Sequence, residues 1–369
     1  RYTNGGTCYL AKVKSISIFK SWFSANKGFS GAAVFVKSST EFRNYHSLFK
    51  GNFARKGGGV FSKNVHTFVL SYCTFFGNQA QIGGGVALEH SYNTYIKMSI
   101  FTSNSGHYGS ALTVEMNAAL YLQNTTISNN TVRRVEKDIL NDHMVGGAIC
   151  VQYVNYLNVF FCKFVNNNMK ILATYGQIRG GSMTVVKTNI VYFKGNIFVK
   201  NLAFTAGAIY IEKSQNVTNI NNSLLHNNAF SAGALGFREV KFIENIGCNF
   251  DGNTGSHQGG AIQVTDSYMM YNIYCQFHNN KANIGGSIFI SSHFQVINIA
   301  VGFIGNVALP DKHGPSQGGA YAANLLVHYV KNYNCKFLSN RAGKYGAGAF
   351  HIHLKMAYFR SCVFQENID

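Results

Sequence analysis

The sequence predicts an all-β fold: a single-stranded right-handed parallel β-helix of about 13 coils of ~26 residues, running through 1–369 as one domain. Three observations carry that prediction. A six-residue motif recurs from end to end, reading small or Cys, any, Phe, any, any, Asn. A run of small residues, followed by an apolar alternation, comes about seven positions after each Asn. The stretches between alternate with a period of two, the mark of strands, and show no convincing helical period.

The Phe–Asn motif comes first because it sets the repeat. It runs from Ser21–Asn26 through Ser47–Asn52, Cys73–Asn78, Ser99–Asn104, Thr125–Asn130, Cys162–Asn167, Asn196–Asn201, Ser223–Asn228, Cys248–Asn253, Cys275–Asn280, Val301–Asn306 and Cys335–Asn340 to Cys362–Asn367. Most steps are 25 to 27 residues and three are longer. A unit this short cannot bury its apolar face alone, whereas stacked units can. Equivalent residues of adjacent coils then lie ~4.8 Å apart. The central positions form one inward stack: Phe23, Phe49, Phe75, Phe101, Ile127, Phe164, Phe198, Leu225, Phe250, Phe277, Phe303, Phe337 and Phe364. The Asn after each is expected to form a corner ladder, its amide bonded to the coils above and below.

The small-residue run is the opposite corner, as in Gly57-Gly58-Gly59-Val60, Gly83-Gly84-Gly85-Val86 and Gly285-Gly286-Ser287-Ile288. Glycine there permits unusual backbone angles and close approach of neighbouring coils. The third alternation, such as Thr94-Tyr95-Ile96-Lys97-Met98, completes the coil. The three long steps insert at one place, between the Asn and glycine corners, at 131–145, 168–179 and 307–317. The first two fall on adjacent coils and are expected to form one protrusion. Its Arg133, Arg134, Lys137, Tyr175 and Arg179 are candidate partner-binding residues, because loops on a rigid scaffold are where specific contacts concentrate.

The paired GG[AGS]-[ILV] and FxxN motifs cover nearly the whole chain. They resemble the repeats of chlamydial polymorphic outer-membrane proteins and of large secreted β-helix proteins of other microbes, protists included. The resemblance implies an extracellular adhesive or structural surface protein. Autotransporters of that family also carry a C-terminal membrane barrel. None is read here, so self-anchoring in a membrane is not expected.

Composition bounds the partners. With 46% hydrophobic, 14% aromatic and 12% charged residues, the chain is too apolar for disorder. No apolar run reaches the ~18 residues of a membrane-spanning helix. The chain starts at Arg1 without a signal-peptide pattern, as a processed product or excised segment would. Lys and Arg outnumber Asp and Glu by 32 to 14, and a charge of +18 favours anionic partners. Acidic polysaccharide or cell-surface glycans rank above nucleic acid. The alternation assigns most aromatics to the interior, so nucleic-acid binding rests on net charge alone.

No catalytic, cofactor or metal site is expected. Glu89 and Glu115 are the best carboxylate pair for glycosidase chemistry. With Lys63 and Lys37 below them, they also read as a charge ladder on a solvent face. Aspartate clusters of the calcium-binding kind are missing. His351 and His353 alternate around Ile352 and read as an exposed pair without the further ligands that zinc needs. The glycine runs lack the Lys-Ser/Thr of a phosphate loop.

Six of the eight cysteines occupy the first motif position. Cys248 with Cys275, and Cys335 with Cys362, fall on adjacent coils within disulfide range; they are either disulfides or small buried fillers interchangeable with Ser. Among the sequons, Asn124 and Asn129 are the better glycan candidates because both are expected to face outward. Asn221 is expected to point inward, by alternation from Ser223.

Solenoids need caps, and neither end reads as one. The chain opens on a glycine corner at Gly5, Gly6 and Cys8 and stops after the corner of Phe364 and Asn367. Joining two copies leaves nine residues from Asn367 to Thr7, within the internal spacing, so the register closes. Head-to-tail self-stacking or a segment of a longer β-helix both fit. The expected function is an extracellular structural protein of a filament or surface coat. An adhesin for acidic polysaccharide is the alternative, and a polysaccharide lyase or hydrolase ranks below both.

Overall fold

The structure is a computed structural model that describes residues 6–132, 145–169, 178–292, 295–310, 316–324, 327–351 and 354–369. The chain is a parallel β-solenoid of about 13 coils, with no helix among the described residues. Its coils group into two compact units, 1–189 and 190–369. A coil has three strands: a leading strand after the glycine corner, a middle strand, and a closing strand that carries the Phe–Asn motif. In one coil these are Val86–Glu89, Asn93–Lys97 and Ile100–Thr102. In two early coils the leading and middle strands fuse into Val34–Tyr45 and Val60–Ser71.

The period-two pattern makes these strands because each has one face to bury. In Asn93–Lys97, Thr94 and Ile96 point inward and are fully buried, while the residues between them do not. The first unit stacks its closing strands in the register Phe23–Phe49–Phe75–Phe101–Ile127–Phe164. The first four rings stack 4.6 to 4.9 Å apart with planes within 9°. That face-to-face geometry is not one that isolated ring pairs prefer. The coil repeat imposes it, and burial of each ring compensates.

The corner asparagines form the expected ladder, and its bonding is complete. The backbone N–H and side-chain amide of Asn78 both donate to Oδ1 of Asn104, at 2.9 and 3.1 Å. The second amide hydrogen of Asn78 goes to the Phe49 carbonyl at 2.9 Å. Its own Oδ1 accepts from the backbone N–H and amide of Asn52, at 3.1 and 2.8 Å. Both donors and both lone pairs are thus used. Asp would lack the donors, and Gln would carry an extra methylene.

The second unit repeats this through Asn201, Asn227, Asn253, Asn280, Asn306, Asn340 and Asn367. Here one coil departs from the sequence expectation. Leu224, not Leu225, pairs with Phe198 and Phe250, and Asn227, not Asn228, sits in the ladder. The motif there spans 222–227, one residue earlier than Ser223–Asn228. Asn222-Ser223, Leu224-Leu225 and Asn227-Asn228 double every motif position, so composition leaves two frames. A step of exactly one standard coil from Asn201 to Asn227 and on to Asn253 selects the frame.

The glycine corner separates two demands. Gly83 has φ +61, and a Cβ there would lie 2.2 Å from the Val86 carbonyl oxygen. The next residue, Gly84, would drive its Cβ to 2.1 Å from the Ser110 carbonyl oxygen on the adjacent coil. The first glycine therefore supplies conformation and the second supplies inter-coil approach.

Candidate functional site

The outward side of the leading strands carries a furrow in the first unit. Val34 and Val36 point into the core, so Phe35 and Lys37 point out. Adjacent coils place Tyr9, Phe35, Phe61 and Ala87 in one row and Ala11, Lys37, Lys63, Glu89 and Glu115 in the next. The segment before each glycine corner runs alongside, bridging Ser30, Lys56 and Ile82 from coil to coil. Between strand and segment lies a furrow of about 690 Å3. Phe35 and Phe61, stacked 4.9 Å apart, form its floor, and Tyr9 meets Phe35 edge-on at 5.2 Å. Phe29 and Lys56 stand on one side, and Lys37, Lys63 and Glu89 on the other.

Glu89 closes the furrow. It lies in the Lys37–Lys63–Glu89–Glu115 ladder as the spacing predicts, but the expected solvent face is corrected: Glu89 is only 8% exposed. Lys56, from the neighbouring segment, reaches over it with Nζ 2.5 Å from Oε1, and Lys63 Nζ lies 3.2 Å from Oε2. Burial works to raise the carboxyl's pKa, but the hydrogen bonds and charges of Lys56 and Lys63 outweigh it and hold it below its ordinary value. Glu89 is thus ionised at neutral pH.

The second unit treats the same strand position differently. Glu212 accepts a hydrogen bond from the Tyr210 hydroxyl at 3.1 Å and faces Lys213 at 3.6 Å. Arg238, one coil on, pairs with Glu239 at 3.5 Å.

Other nominated residues distribute as follows. Arg133, Arg134, Lys137 and Tyr175 lie outside the described residues, as do Gly5 and His353. Arg179 is in a short strand, Ile178–Arg179, paired with Val145–Gly146. Cys248 with Cys275, and Cys335 with Cys362, occupy matching places on adjacent coils as free thiols. The Cys248 and Cys275 thiols donate to the carbonyls of Asn219 and Asn245. Burial pushes the Cys335 thiol up to about 11, far from thiolate character.

Asn124 and Asn129 are exposed at corners with φ of 48° and 54°. Asn221, expected inward, is instead exposed at the same kind of corner, φ 51°, because the coil's frame is shifted by one. His351 is also corrected. It pairs with the inward Ala323 rather than facing solvent, with Nε2 3.2 Å from the Tyr321 hydroxyl. Burial lowers its pKa to about 4. Gly6 and Cys8 keep the standard corner against the next coil, and Asn367 keeps the ladder by donating to the Phe337 carbonyl at 2.7 Å.

One polar feature escaped the sequence reading. Asn219, Asn245, Asn272, Asn298 and Asn332 form a second buried ladder on the middle strands, each amide donating 2.8 Å to the next. It ends on the Tyr321 hydroxyl at 3.0 Å. Its signal was present: Asn recurs before Ile or Tyr at steps of one coil.

Among the described residues no group of three or more His, Cys, Asp or Glu could hold a metal ion. No helix among them is long and apolar enough to cross a membrane. A segment of the chain, residues 247–265, matches the Chlamydia polymorphic membrane protein repeat. The chain is also 26% identical over 126 residues to a metabotropic glutamate receptor-like protein R of Dictyostelium discoideum. That match covers 32% of this chain and 7% of the relative's length. No solved structure matches the chain. The family model for a right handed beta helix region matches residues 58–246, more than half of the sequence, and with the membrane-protein repeat it marks a surface-type repeat protein. The stacked coils, their asparagine ladder and this match agree: the chain belongs to the right-handed β-helix family.

Proposed function

We propose that this chain is a protomer or a segment of an extracellular filament or surface coat assembled by head-to-tail β-helix stacking. The observation that carries the reading is the coil-on-coil register, which runs unchanged into the coil at 354–369. Phe364 stacks on Phe337 at 4.5 Å with parallel rings, yet is 50% exposed, whereas Phe337 is fully buried. Phe359 on the same coil, paired with the buried Asn332, is exposed as well. A coil in the same register would bury these side chains as an internal step does, and would pair the strand edge beneath it. Head-to-tail contact that does not close into a ring gives an open filament. Extracellular placement is supported by the surface-type repeats. The cleavage reading is weaker, because both carboxylate oxygens of Glu89 are engaged by lysines. Glycoside hydrolysis needs one protonated and one ionised carboxyl that can both reach the glycosidic bond.

Electron microscopy of the purified chain over a concentration series tests the reading. Filaments that lengthen with concentration are expected. Phe364→Asp would bury an unpaired charge at the join, costing several kcal/mol. It should leave distant coils folded, since solenoid contacts are mainly nearest-neighbour. Single particles at every concentration, or unimpaired assembly of Phe364→Asp, would sink the proposal.

A further inference from the structure

We propose that the furrow of the first unit binds an anionic saccharide, a uronate or sulfated sugar chain, with Lys37 and Lys63 taking the acidic groups. The site goes beyond the stacking reading and does not depend on it.

Charge is the first support. Three lysines line the furrow against one glutamate. Glu89 engages Lys56 and Lys63, but Lys37 has no carboxylate within ion-pair distance among the described residues. The site therefore keeps a cationic excess that a bound carboxylate or sulfate would neutralise. The buried Glu89 also fixes Lys56 and Lys63 in place, so less side-chain freedom is lost when a ligand arrives. The matching strand position of the second unit carries Glu212 and Arg238, each already facing opposite charge. That strand position is therefore charge-paired in the second unit, whereas in this furrow Lys37 is not.

Shape is the second support. Tyr9 and Phe29, 53% and 37% exposed, present ring surface beside the buried Phe35–Phe61 floor. Ring faces and edges suit the C–H surfaces of a pyranose, while the lysines lie where its acidic substituents would project. The furrow is lined by successive coils, whose ~4.8 Å spacing is close to the length of one pyranose residue. A linear sugar chain can therefore present a repeating acidic group to Lys37 and Lys63, one coil apart.

Isothermal calorimetry on the full chain tests this with four probes: a heparin-derived hexasaccharide, an oligogalacturonate of equal length, a neutral cello-oligosaccharide and a single-stranded oligonucleotide. Saturable binding of at least one anionic saccharide is expected, with none of the neutral one. Lys37→Gln should weaken it about tenfold, and Tyr9→Ala should weaken it without altering its salt dependence. Lys200→Gln, the same charge change at an exposed lysine of the second unit, should weaken it less than about twofold. Lys37 is exposed and makes no ion pair among the described residues, so its variant should fold as the parent does. Four results would each overturn the proposal: no saturable binding, equal loss in Lys37→Gln and Lys200→Gln, equal affinity for the neutral sugar, or tighter binding of the oligonucleotide than of either acidic saccharide.

Discussion

The corner asparagine is the residue on which the coil depends most. Asn78 makes bonds to Asn52, Asn104 and the Phe49 carbonyl, all in the buried corner. Replacing it by Asp removes both amide donors and sets a carboxylate against the carbonyl oxygens of Asn104 and Phe49. Leaving a buried polar group unsatisfied costs ~1–3 kcal/mol, and more when the group is charged. Asn78→Asp should therefore destabilise the first unit by about 3 kcal/mol or more, read from urea denaturation. Asn129→Asp, one position before the ladder and exposed, should change it little; equal effects would show that the ladder is not what the residue supplies. Sequence spacing located this ladder, because a single residue type recurred at one coil length. It could not settle Leu224 against Leu225, where every motif position is doubled and only the stacked neighbours decide.

At the scale of the corner and strand, left-handed backbone is the recurring demand. Each coil turns through such residues at several places, and away from the glycine corner most of them are not glycine. Met98 (φ 47°), His46 (φ 55°) and Phe161 (φ 54°) adopt it between middle and closing strands with full side chains. An L-residue there is disfavoured by ~1–2 kcal/mol, partly offset by the chain entropy that glycine would lose. Met98→Gly should thus be neutral or stabilising by up to ~1 kcal/mol. Gly83→Ala should be strongly destabilising, because its Cβ would meet the Val86 carbonyl oxygen. Thermal melts of the two variants check the contrast, and a destabilised Met98→Gly would contradict it. These bends were not legible because an exposed Met, His or Phe carries no turn chemistry of its own. The parallel pairing on either side forces the angle.

At the scale of the molecule, a solenoid should respond to acid coil by coil rather than all at once, since its contacts are mainly nearest-neighbour. His351 has its pKa lowered from 6.5 to about 4 in the fold. The folded form resists a proton that the unfolded chain accepts, so the stabilisation is complete above 6.5 and lost as pH falls toward 4. The loss is at most about 3 kcal/mol. Lys56 and Lys63 hold the Glu89 pKa below its ordinary 4.5, so its stabilisation is complete above 4.5 and is lost as pH falls from there through the depressed value. Hydrogen exchange, corrected for intrinsic rates, should show 327–351 and 354–369 loosening first and the Glu89 coils only at lower pH. His351→Asn should flatten the first response. Loosening of both regions over one pH range would count against local control.

What the sequence determined by itself is the repeat: the coil length, the phenylalanine stack, the asparagine corner and the glycine corner. Each is one residue type recurring at a fixed step, so stacking equivalent positions is enough to place it. Only the tertiary structure decided what lies between coils and segments. Glu89 reads as a solvent-facing ladder residue until Lys56, 33 positions earlier, folds across it. His351 reads as exposed until its strand pairs with Ala323 and turns it inward toward Tyr321. The furrow beside Phe35 and Phe61 likewise exists only because a neighbouring segment runs along the sheet. Burial and charge pairing depend on which chain passes overhead, and periodicity along one strand carries no record of that.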